Sequence, residues 1–343
     1  MKAIVNYATD PDSVEIRDIP EPKPGPDDVI MEVDTVSVCG SDLHQWKGGH
    51  SWPVNYPVVL GHEFAGRIVE LGKQVIEFEM GDRVTSETAA VIDPQNPLTK
   101  EGNYQLDPNR KGFGYGVDGA MTRFVKVPVR CLHHVPEELP LKIAAVTEPC
   151  CVAYNAVIEN GSVKPGDRVL VLGPGPIGIL CGLMAKVGGA AEVAISGLPS
   201  DKARLSIAKD LGLIPLTEGI IEWAKKSDGT GVNLAVDAAG VSVTLRTAID
   251  AVRPGGRIAK VGWGPQPIDF SLDPLVQKNI SLFGSFSHNR PMWEAVLRLL
   301  TSKRLDPAPI LTETWKLSNW RDAFEAMHNG EIVKAQLNPQ NLN

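Results

Sequence analysis

The chain has 343 residues, 43 % of them apolar and 22 % charged, ordinary globular usage at a length that allows two domains, which excludes a disordered chain and a small binding module. Its 34 basic and 41 acidic side chains give a net charge of −7, and no basic run is long enough to neutralise a row of phosphates, so nucleic acid is not an expected partner. No stretch reaches the ~18 apolar residues of a membrane span and no secretory signal pattern precedes the first strand-like segment, while Cys39, Cys131, Cys150, Cys151 and Cys181 are odd in number and irregularly spaced; a cytoplasmic protein with neither membrane partner nor disulfide scaffold is expected.

The first 150 or so residues read as short strands broken by Pro and Gly: Lys2–Tyr7, Val14–Asp18, Asp28–Val38, Phe64–Leu71, Arg83–Ser86 and Ala120–Val127. Strands of this kind predict an antiparallel barrel-type unit. From about Cys150 strands alternate with helical segments. Arg168–Leu172, Glu192–Ser196, Asn233–Ala238 and Arg257–Gly262 read as strands, with helices from the end of the first through Val187 and over Asp201–Leu211. That rhythm predicts βαβ units in a doubly wound parallel sheet. From Met292 onward come a helix, a strand around Ile310–Trp315, a helix around Asn319–His328 and a short exit over Glu331–Asn338.

The first βα turn is Gly173-Pro174-Gly175-Pro176-Ile177-Gly178. A strand that ends in G-x-G-x-x-G and opens a helix sets backbone N–H groups and a positive helix terminus where a pyrophosphate can sit. An NAD site commonly ends its second strand with an acid for the ribose hydroxyls. Gly197 stands at that place here, after Ser196. Two arrangements stay open: Asp201 reaches back to the ribose, or Ser196, Ser200, Lys202 and Arg204 receive a 2′-phosphate. The cofactor is therefore NAD or NADP.

Upstream, Val38-Cys39-Gly40-Ser41-Asp42-Leu43-His44 and Gly61-His62-Glu63-Phe64-Ala65-Gly66 are rich in metal-ligand chemistry. Thiolate, imidazole and carboxylate are the ligand types of a catalytic zinc, three of them leaving a fourth position for water or substrate. Trp46, His50 and Trp52 follow the first segment as candidates for a pocket wall. His133 and His134 end a strand segment, where a structural or surface role is expected, and Cys150 and Cys151 read as packing residues.

The run Gly61-His62-Glu63-x2-Gly66-x5-Gly72-x2-Val75, with Cys39-Gly-Ser-Asp-x-His before it, resembles the signature of the zinc-containing alcohol dehydrogenases of the medium-chain dehydrogenase/reductase superfamily. The resemblance continues through Gly81-Asp82-Arg83-Val84, the Thr147-Glu148-Pro149 turn, the glycine loop, Asp237-Ala238-Ala239-Gly240 and Pro254-Gly255-Gly256-Arg257. It is strongest to the sorbitol, polyol and threonine dehydrogenase branch. It implies a GroES-like catalytic domain over 1–155, completed by 293–343, and a Rossmann domain over 156–292.

Carried over, the resemblance makes Cys39 and His62 zinc ligands, Glu63 either the adjacent carboxylate ligand or one that exchanges with water, and Glu148 a second carboxylate that approaches the metal. Ser41 and His44 match a proton relay, and Asp42 the carboxylate that orients the ligand histidine. Gly173, Gly175, Pro176, Ile177 and Gly178 bind the cofactor pyrophosphate. The family's second, structural zinc needs four cysteines, and Ser86–Gly119 contains none, so a single zinc is expected. The implied reaction is hydride transfer between a secondary alcohol, polyol or sugar and NAD(P), in a homodimer or homotetramer. A hydroxy amino acid such as threonine is the alternative substrate. A non-catalytic nucleotide-binding sensor, or a zinc-free reductase, has no reason to keep ligands and relay together.

Overall fold

The computed structural model describes residues 1–264 and 266–340; Pro265 and residues 341–343, which the expected domain ranges include, lie outside them. The chain divides into two units, one of Met1–Glu148, Asn289–Lys303 and the chain from Leu311 on, the other of Pro149–His288 and Arg304–Ile310.

The first unit is built around strand Asp28–Ser37, whose Val29, Met31, Val33 and Val36 are fully buried. Along one edge it pairs antiparallel with Glu63–Leu71, which passes the sheet on to Arg83–Ser86 and Leu132–His134. Along its other edge lie Phe124–Pro128 and, at the far end, Lys334–Asn338, itself paired with Leu311–Lys316. Met1-proximal strands Lys2–Asn6 and Val14–Asp18 form a separate small sheet with Val58–Val59. The C-terminal strands thus complete this unit. Trp46, named above as a pocket candidate, is instead a core residue, 1 % exposed and packed edge-on against Trp320 at 6.2 Å and Phe324 at 5.8 Å. An indole this large stabilises most where it is fully removed from water.

Within the same unit Ser86–Gly119 forms a lobe organised by carboxylates. Asp107, 2 % exposed, accepts the Asp93 N–H on Oδ2 at 2.8 Å, and the Asn109 N–H at 2.9 Å and Asn96 Nδ2 at 3.2 Å on Oδ1. Asn96 also caps the turn Pro97–Lys100, accepting the Leu98 N–H at 2.9 Å. Glu87 accepts the Tyr104 hydroxyl at 2.5 Å and faces His133 Nε2 at 2.9 Å, while Trp293 stacks on the His133 ring at 5.2 Å. His133 is therefore structural and buried; His134 is exposed and stacks on Phe78.

The second unit is a six-stranded, wholly parallel sheet in the order Ile214–Leu216, Glu192–Ser196, Arg168–Leu172, Val232–Asp237, Val252–Lys260, Ser281–Gly284. The order 3-2-1-4-5-6 is that of dinucleotide-binding folds, whose crevice opens at the carboxyl ends of the first and fourth strands. The sequence pattern missed both outermost strands. Ile214-Pro215-Leu216 carries a proline that only an edge tolerates, and Ser281–Gly284 is four residues long and exposed throughout. The expected Thr147-Glu148-Pro149 turn is the opening of helix Thr147–Tyr154.

Candidate metal centre and nucleotide loop

Strand Asp28–Ser37 delivers the chain to Cys39, and helix Gly40–Trp46 starts directly after it. Asp42, in the first helical turn, accepts the Cys39 N–H on Oδ2 at 2.9 Å, the reciprocal bond by which an acid at this position fixes a helix start. Its Oδ1 accepts the Gly61 N–H at 3.3 Å and stands 3.8 Å from His62 Nδ1. Gly61 is required there. Its φ is +94°, and a Cβ would lie 2.7 Å from Met121 and 2.9 Å from Val36. The other imidazole nitrogen, Nε2, is 3.4 Å from Ser41 Oγ.

Glu63 opens strand Glu63–Leu71 and is fully buried. The Cys39 thiol, the His62 ring and the Glu63 carboxylate each offer a ligand atom within 4.8 Å of the others, and among the described residues they are the group of this kind. Opposite them sits a residue the sequence reading missed. Lys334 Nζ is 2.6 Å from Glu63, with both side chains buried. Nothing in an alternating C-terminal strand marks one lysine as buried; only the partner strand does.

The electrostatics describe a site built for a cation. Burial alone lowers the His62 pKa, but the Cys39 thiol, Asp42 and Glu148 reverse this and hold it well above the ordinary histidine value. Burial raises the Glu63 and Asp42 pKa values, against Lys334 in one case and His62 in the other. A sulfur, a nitrogen and an oxygen donor converging in a buried, anion-rich pocket fit zinc. Glu148 acts on His62 and Glu63 through its charge and is 8 % exposed, but it is outside the three-residue group. His44 is at the surface of the same helix, edge-on to Trp52 at 6.3 Å; partial burial, then His328 and His50, lower its pKa. His50 is joined to the Tyr56 hydroxyl at 2.9 Å.

In the second unit the glycine loop has the geometry its sequence predicts. Gly173 has φ +104°, and a Cβ on Gly178 would lie 1.8 Å from the Gly173 carbonyl, so these two glycines allow strand and helix to meet closely. A Cβ on Gly175 would meet no atom within 4 Å. Gly175 N-caps helix Pro176–Val187, so its open side lies before a helix terminus whose first amides have no partner within the helix. That cradle fits a pyrophosphate. Ser196 is buried and its carbonyl accepts the Gly173 N–H at 2.9 Å. Asp201 closes the turn after it, accepting the Leu198 N–H at 2.8 Å, and its Oδ2 lies 3.1 Å from where a Gly197 Cβ would be. Lys202 is exposed and Arg204 half-buried within reach of the Asp201 charge.

Residues 25–137 match the family described as alcohol dehydrogenase GroES-like domain, and residues 176–302 the family described as zinc-binding dehydrogenase. Sorbitol dehydrogenase of Halalkalibacterium halodurans is 37 % identical, with 99 % of each chain covered. D-arabitol-phosphate dehydrogenase of Enterococcus avium is 32 % identical over 99 % of this chain and 98 % of its own. The crystal structure of 2R,3R-butanediol dehydrogenase from Bacillus subtilis superimposes with a TM-score of 0.89 at 29 % identity, covering 98 % of this chain and 99 % of that one. The chain belongs to the zinc-type medium-chain dehydrogenases, in the branch that holds the polyol and threonine enzymes. It is a zinc-dependent, nicotinamide-dependent oxidoreductase of alcohols or polyols. Among the described residues no helix is long and apolar enough to cross a membrane.

Proposed function

We propose that the protein oxidises a secondary hydroxyl of a polyol or sugar, reversibly, at a single zinc held by Cys39, His62 and Glu63, with Glu148 as the alternative carboxylate. The observation that carries this reading is the convergence of those three ligand atoms within 4.8 Å. When bound, zinc lowers the pKa of an alcohol so that the alkoxide forms near neutral pH. Asp42 Oδ1 stands 3.8 Å from His62 Nδ1, on the side away from a metal at Nε2, the place from which a carboxylate orients a ligand histidine. Ser41 receives the hydroxyl proton and His44, exposed on the same helix, passes it to solvent. The Ser86–Gly119 lobe holds no cysteine, and its carboxylate bonds take the place of a second metal.

The pyrophosphate of the cofactor sits at Gly173, Gly175, Pro176, Ile177 and Gly178. Asp201 is the acid that meets the adenosine ribose, because its carboxylate lies beside the Gly197 position at the end of the second strand. NAD is the preferred cofactor and NADP is accepted, Ser196, Lys202 and Arg204 receiving its phosphate. The enzyme is a cytoplasmic homodimer or homotetramer, a reading supported by the odd number and irregular spacing of its cysteines and by the edge strand Ser281–Gly284, which exposes Leu282 and Phe283.

A panel of polyols, their phosphates, aldoses and threonine, assayed with NAD and with NADP, tests the substrate reading; turnover of threonine alone defeats it. Asp201→Ala is expected to move the ratio of kcat/KM for the two cofactors toward NADP by about tenfold, the scale of one lost charge-assisted bond. An unchanged ratio removes Asp201 from the site.

A further inference from the structure

We propose that Lys334 is a positioning residue of the metal centre: by holding the Glu63 carboxylate it makes Glu63 a displaceable ligand instead of a permanent one. The inference rests on the zinc reading above and goes beyond it by assigning the ammonium that faces the ligands. Nζ lies 2.6 Å from Oε1 and 2.6 Å from Oε2, with Lys334 2 % and Glu63 0 % exposed at their side chains. Lysine is almost never this buried unless paired, and removing one partner of such a pair leaves an uncompensated charge.

Topology brings the pair together. Strand Lys334–Asn338 runs antiparallel to Asp28–Ser37 with Gln336 opposite Ser37, and the Val38 N–H donates to the Ala335 carbonyl at 2.9 Å, so the ladder continues toward Cys39 at the Lys334 end. On the other side of the same central strand Ser37 is opposite Glu63. Lysine and carboxylate are therefore contributed by the two strands that flank the central one, near the end from which it leads on to Cys39. Although buried and close to Nζ, Glu63 Oε2 accepts no aligned hydrogen bond from the described residues.

Two positive centres then compete for one carboxylate. With Lys334 in place, Glu63 has a partner to return to whenever a substrate oxygen takes its position. Without the ammonium the carboxylate has only the metal to neutralise it, and it stays bound. The pair is thus a two-position seat for a single negative charge.

The test uses zinc-loaded full-length protein and follows release of zinc into excess chelator, together with the visible spectrum of the Co2+-substituted protein. Lys334→Met is expected to release zinc about tenfold more slowly and to change the Co2+ spectrum, the scale on which residues behind the ligands affect metal sites, while Lys334→Arg stays within about twofold of wild type. Release from Lys334→Met as fast as wild type, or faster, overturns the proposal. Should Lys334→Met alone not fold, Glu63→Gln with Lys334→Met removes both charges. Compared with Glu63→Gln alone, the added Lys334 change is then expected to leave release within about twofold, and a tenfold change overturns the proposal. Wild-type protein that retains no zinc defeats the underlying reading, whereas retained zinc with unchanged release in Lys334→Met defeats only the role of Lys334.

Discussion

The metal centre and the Ser86–Gly119 lobe lie in one unit and both bury carboxylates, but they satisfy them differently. Asp107 is surrounded by neutral donors, two backbone amides and the Asn96 side chain, and is complete as it stands. Glu63 shares its pocket with a thiol, another carboxylate and an imidazole, and among the described residues its hydrogen bond comes from Lys334. Donor count is the difference. A buried anion with enough N–H groups around it needs no cation, whereas one crowded by other anions does. A lobe without cysteine and a centre with one are two solutions to the same burial problem.

The largest effect expected from breaking this comparison is on the metal side. Wild-type protein is expected to contain one zinc per chain, and Cys39→Ser none, with turnover falling to background while nucleotide binding persists. Elemental analysis and a cofactor titration check this, and two tightly held zinc ions in the wild type contradict the account of the lobe. Asp107→Ala comes next. It takes the acceptor from three hydrogen bonds whose donors sit on exposed or half-buried residues, each worth about 0.5–1.5 kcal/mol, so a loss of about 2–4 kcal/mol is expected in urea unfolding. Zinc content is expected to stay at one per chain; loss of zinc on this substitution means that the two regions are not independent. Smallest is Asn96→Ala, which removes one bond to Asp107 and the cap on Pro97–Lys100 for about 1 kcal/mol, the ordinary value of a helix cap. Hydrogen exchange confined to the lobe is the expected signature, and protection lost around Cys39 goes against it.

Much of this molecule was legible in its residues, for reasons that differ by region. The inner strands of the parallel sheet are continuous apolar runs, and Arg168–Leu172 and Glu192–Ser196 were bounded correctly because burial on both faces leaves no polar interruption. The two edge strands were missed because an edge needs neither length nor hydrophobicity. Cys39, His62 and Glu63 stood out because ligand-type residues were concentrated in two short segments. Trp46 was misplaced since an aromatic after a ligand loop reads alike whether it faces a pocket or the core, and only Trp320 and Phe324, almost 280 residues away in the chain, decide it. Lys334 was invisible for the same reason: its partner is 271 positions distant. Long-range pairing is what a single sequence expresses least.

Gly197 carries a consequence for how this enzyme can change its coenzyme. An aspartate or glutamate at that position would be the obvious single step toward strict NAD use, but its Cβ would lie 2.7 Å from Pro174 Cγ in the phosphate loop. The Pro174 ring is tied to the loop backbone, so ring or loop must shift to admit a side chain. The step therefore carries a packing cost as a single substitution and is easier once Pro174 changes too, which makes the two positions epistatic. Laboratory evolution toward either coenzyme is expected to travel through Asp201, Lys202 and Arg204, leaving Gly197 untouched until the loop has been altered first.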